Sequence, residues 1–136
     1  MHRKAIPSAL AVVVALLSFG VVGAAAAQEL CGRPSAPPAE LFARLTTQEK
    51  FSVVSRDQNY VVLQDPADIT IWTFTVAGHA AHPSVVCRRP VQAINRSWTM
   101  HMQMRCGAPE PACKQLLRDF EVLNARMIED IKRQQR

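Results

Sequence analysis

Ile69-Thr70-Ile71-Trp72-Thr73-Phe74-Thr75-Val76 is the stretch on which the reading of this chain turns. It is rich in β-branched and aromatic residues, lacks glycine, proline and charge, and is bounded by turn formers on both sides, so it reads as a strand. Upstream, Asp65-Pro66-Ala67-Asp68 punctuates the chain. Before it, Phe51–Ser55 and Tyr60–Gln64 are two further β-rich runs separated by the polar insert Arg56-Asp57-Gln58-Asn59. Downstream, Gly78-His79-Ala80-Ala81-His82-Pro83 makes a loop, and Ser84–Ile94 returns as a strand. Pro90 within that strand has no N–H for a ladder, which calls for an edge position or a bulge. Asn95-Arg96 turns the chain into a last strand, Ser97–Arg105.

The flanks change period. After Gly107-Ala108-Pro109-Glu110-Pro111, the tail reads as an amphipathic helix from about Pro111 to Gln134. Cys113, Leu116, Leu117, Phe120, Leu123, Met127, Ile128 and Ile131 recur there at three- and four-residue steps. Glu110 near its start and Lys132, Arg133 and Arg136 near its end agree with the helix dipole. On the N-terminal side, Gly32–Pro38 is proline-stiffened and irregular, and Ala39 to Lys50 reads as a short helix carrying Leu41, Phe42 and Leu45 on one face. The expected fold class is α+β: an antiparallel sheet of about five strands, with a short N-terminal helix and a long C-terminal amphipathic helix packed on it.

Met1-His2-Arg3-Lys4, the apolar run Ala9–Val22 and Ala24–Ala27 follow the order of a secretory signal peptide, cut after Ala27. The apolar run falls short of the roughly 18–20 residues that span a bilayer. Residues 28–136 then form one domain, large enough for a core of its own. Without Arg3 and Lys4, the 16 basic residues of the chain fall to 14 against 11 acidic ones. That surplus is small and unclustered, with Arg88-Arg89 and Lys132-Arg133 its only doublets, and it excludes a nucleic-acid footprint. Cys31, Cys87, Cys106 and Cys113 are even in number in an exported chain and lack C-x₂-C spacing, so they read as two disulfides reinforcing the fold. A hairpin register opposing Val91 to Met102 sets Cys87 against Cys106 and leaves Cys31 for Cys113. That pairing is the expectation. Its rival joins Cys106 to Cys113 and Cys31 to Cys87.

Two segments could carry chemistry. His79 and His82 on one tight loop are able to share a metal, although no third ligand lies near in sequence; the plainer reading is that the imidazoles bond the backbone and hold the loop's shape. In Trp98–Cys106, a strand would place Trp98, Met100, Met102, Met104 and Cys106 on one face, with His101 on the other. Thioethers suit Cu(I), and the M-x-M spacing loosely resembles that of small periplasmic copper chaperones. A buried methionine stripe under a helix is the simpler account. No G-x-S-x-G, phosphate loop or free nucleophilic cysteine is present.

Ile71–Thr75 followed by Gly78–Pro83 resembles small exported bacterial proteins of unassigned activity, in which W-T-F-T precedes G-H-x-A-H-P and a valine-rich strand. The resemblance covers about 25 residues, implies a shared hairpin and carries no catalytic role. It marks Trp72, His79, His82 and Pro83 as binding positions. The function expected from all this is a non-catalytic periplasmic or secreted binding domain, without cofactor, for a periplasmic protein or cell-envelope ligand. The first alternative is copper binding through Met100, Met102 and His101 with His79 and His82. A small periplasmic hydrolase or lyase is the third reading.

Overall fold

The computed structural model describes residues 28–136, so the leader reading for residues 1–27 lies outside the described residues. A two-residue ribbon, β1 (Glu29–Leu30) and β2 (Arg33–Pro34), precedes α1 (Pro38–Ala43) and a π-helical turn, Arg44–Gln48. A meander follows: β3 (Ser52–Arg56), β4 (Tyr60–Gln64), β5 (Ile71–Thr75), β6 (Ser84–Gln92) and β7 (Trp98–Cys106). The chain closes with α2 (Glu110–Gln134). The five strands β3 to β7 pair antiparallel in sequence order, the α+β architecture expected from the pattern.

Short side-chain acceptors shape the turns. Asp57 Oδ1 accepts the backbone N–H groups of Asn59 (2.7 Å) and Tyr60 (2.8 Å), which closes the β3–β4 hairpin and lowers the carboxyl's pKa. Asp65 and Asp68 accept from Ala67 (2.8 Å) and Thr70 (2.6 Å) before β5. The helical segment near the N-terminus departs from a plain α-helix where Thr46 and Thr47 donate their hydroxyls back to the Phe42 and Ala43 carbonyls. It stops at Lys50, whose φ is +60°.

The sheet is covered on both faces. Val61, Leu63, Trp72, Phe74, Val85 and Cys87 point to one side and pack against Leu30, Leu41 and Leu45 from the N-terminal segment. Val86, Met102, Met104 and Tyr60 point to the other and meet Leu116 and Phe120 of α2. Each fully buried Leu, Val or Phe contributes roughly 1.5–3 kcal/mol of transfer free energy, so both layers stabilise the sheet substantially. The inward stripe of α2 is narrower than its sequence suggests: Leu116, Phe120 and Asn124 are buried, whereas Leu117 and Leu123 are 36% and 39% exposed. A single helix lying along an edge strand has too little surface beneath it to cover a wider stripe. Pro90 lies beyond the last β5–β6 pair, Ile71–Arg88, where β6 keeps only β7 as a neighbour.

The disulfides are Cys31–Cys87 and Cys106–Cys113, not the expected Cys87–Cys106 and Cys31–Cys113. The reason is register. Val91 opposes Thr99 rather than Met102, which sets Cys87 opposite Gln103 and Cys106 opposite Ser84. An odd shift turns every side chain of a strand to the other face. Cys87 therefore points into the N-terminal core, and Cys106 joins the α2 side.

Candidate functional site

The loop between β5 and β6 is built by its own backbone. His79 N–H donates to the Val76 carbonyl (3.1 Å) and His82 N–H to the His79 carbonyl (2.9 Å). Gly78 has φ +99°, a region in which a side chain would be strained. The His82–Pro83 peptide is cis, and Pro83 accepts the N–H of Gly107 at 2.8 Å. A Cβ on Gly107 would stand 3.1 Å from the Pro83 oxygen, so this close approach accounts for the glycine.

The two histidines serve different surroundings. Ala81 N–H donates to His79 Nδ1 at 3.0 Å, which leaves Nε2 to carry the proton toward the Tyr60 hydroxyl at 3.1 Å. Burial, then the charges of Asp119 and Asp57, push the Tyr60 phenol above its ordinary pKa, so it stays protonated in that contact. Both nitrogens of His79 are thus engaged, and its ring lies 5.1 Å from that of Tyr60. His82 instead donates Nδ1–H to the Thr75 carbonyl at 2.9 Å, leaving Nε2 as its uncommitted nitrogen.

His82 and Pro83 line a largely apolar cavity of about 300 Å³ at the end of the sheet. Its walls include Phe42 of α1, Val61 of β4 and Phe74 of β5, with Arg56 of β3 beside them. Phe42 and Phe74 meet edge to face, ring centroids 5.1 Å apart. Arg56 was not singled out in the sequence. It follows a run of strand residues into a turn, and nothing local signals that it shares a cavity with residues of α1.

Other expected site residues are not brought together. Trp72 is a core residue, 0% exposed and edge-on to Phe51, so it cannot form part of a contact surface. Met100 and Met102 line an open trough with Glu121, Asn124 and Ile128 along α2. Met102 sulfur accepts from Asn124 at 3.2 Å. His101 lies on the opposite face of β7, in a polar cleft of about 240 Å³ with Glu29, Cys31, Arg89 and Gln103. His79 and His82 lie at neither place. Among the described residues, no three His, Cys, Asp or Glu side chains gather as a metal site. The Asp57, Asp65 and Asp68 carboxylates are occupied in turns. Among the described residues, no helix is long and apolar enough to cross a membrane.

No protein-family model matches this chain, and comparison with curated proteins and with solved structures returned no match.

Proposed function

We propose that the protein is a non-catalytic, exported binding domain whose contact site is the apolar cavity beside His82 and Pro83. The observation that carries this reading is the cavity: Phe42, Val61 and Phe74 are in the protein's interior layer, yet together they wall about 300 Å³ of open space. Small-molecule sites are concave, mostly apolar and furnished with few polar groups, and this one has that character at the lower end of their size range. Two disulfides and the basic-apolar-small leader pattern support a periplasmic or secreted location, as does the resemblance to small exported bacterial proteins. The partner is a cell-envelope ligand or an apolar group presented by a periplasmic protein.

A titration of the isotopically labelled protein with neutral apolar fragments, followed by amide chemical shifts, tests the reading. Shifts should cluster at Phe42, Val61, Phe74 and the His82 loop, and Ala39→Trp, which fills the cavity from α1, should remove them. Shifts elsewhere, or none at all, would discard the cavity as the site.

A further inference from the structure

We infer that the cavity takes a small apolar monocarboxylate, its hydrocarbon body between Phe42 and Phe74 and its carboxylate at Arg56 and His82; the inference rests on the binding reading above. Three polar residues line the cavity: Arg56, Thr75 and His82. Thr75 has nothing to offer a ligand. Its hydroxyl accepts the Ser84 N–H at 2.9 Å and donates to the Ser84 carbonyl at 3.3 Å, and its carbonyl accepts His82 Nδ1–H.

The remaining groups are Arg56 and His82 Nε2. Among the described residues, Arg56, like six other arginines, pairs with no carboxylate, and it is the one arginine that lines the cavity. Among the described residues, no acidic side chain lines the cavity. A guanidinium offers only donors and one positive charge, in a fork that fits a carboxylate. His82 Nε2 adds one further position, able to accept a proton from an acid or, when protonated, to donate to its anion. One full cation and one imidazole suit a monoanion better than a dianionic phosphate. The volume suits a body of the size of octanoate or a single aromatic side chain, so the acid is either free or the end of a peptide chain.

The test is calorimetric titration of the full protein, disulfides intact, with octanoate against 1-octanol and N-acetylphenylalanine against its amide. A carboxylate preference of roughly five- to tenfold is expected, the size of one charge-assisted contact discounted for solvent screening. Arg56→Gln, at an exposed position, should abolish that preference, bringing octanoate down to the affinity of octanol measured on the same variant. Ala39→Trp should abolish binding of every probe. The member of each pair that binds tighter decides the head group, and the tighter of the two acids decides its source. Equal binding of octanoate and octanol, or a preference that survives Arg56→Gln, would overturn the inference while leaving the cavity a binding site. Failure of all four probes would overturn both.

Discussion

Arg88 is 6% exposed and, among the described residues, pairs with no carboxylate. Its guanidinium stacks 4.9 Å over Phe120, donates to Asn124 Oδ1 at 3.2 Å and contacts Met127 sulfur at 3.3 Å, and its Nε has no partner among the described residues. Burial lowers its pKa below the ordinary arginine value. A cation held by neutral, soft neighbours bears a desolvation cost that these contacts offset only in part. Arg88→Met keeps the length of the side chain and removes the charge. Its stability in urea should lie within about 1 kcal/mol of the parent or rise by about 1–2 kcal/mol. A loss above about 3 kcal/mol would mean that the charge itself holds α2 to the sheet. In the sequence, Arg88-Arg89 reads only as one of two basic doublets. Strand alternation sends Arg88 under α2 and Arg89 out toward Asp68, and the choice between the two faces needs the neighbouring strands.

The β6–β7 hairpin shows how one turn decides chemistry far from it. Ala93 N–H donates to the Ser97 carbonyl at 2.8 Å, which closes a three-residue loop, and its last member, Arg96, has φ +64°. This is a common three-residue hairpin geometry, and it sets the register that turns Cys87 and Cys106 to opposite faces. Asn95-Arg96 is legible in the sequence as a turn, but the number of residues it leaves unpaired is not. The two disulfides it allows differ in reach: Cys31–Cys87 spans 56 positions and Cys106–Cys113 spans 7. Loop-closure entropy predicts a loss of about 4 kcal/mol when the first is replaced by a pair of alanines, and about 2.5 kcal/mol for the second. Paired denaturation curves of the two double variants would check this order. Equal losses would show that the long bridge closes a segment already held by its packing.

For the molecule as a whole, the N-terminal segment is the cover of one face of the sheet. Leu30, Leu41 and Leu45 are buried over Trp72 and Leu63, and their burial is worth roughly 5–9 kcal/mol against a typical domain stability of about 5–15 kcal/mol. A chain beginning at Phe51 would keep all five strands and α2 yet expose one face of the sheet. It should lose the near-ultraviolet circular dichroism of Trp72 and its cooperative unfolding. A sharp transition at unchanged temperature would show that α2 alone organises the sheet.

Sequence alone determined most elements of this protein, though not the β1–β2 ribbon or the π-helical turn: the five strands of the sheet from β-rich runs, turns from Asp57, Asp65, Asp68 and Asn95, and helices from their apolar spacing. Those features depend on neighbours within a few residues, so they are written locally. Tertiary structure decided which face each helix covers, how the cysteines pair, and that Arg56 and His82 share a cavity with Phe42. Each of these depends on the parity of a strand register or on segments far apart in the chain, and local patterning carries no record of either.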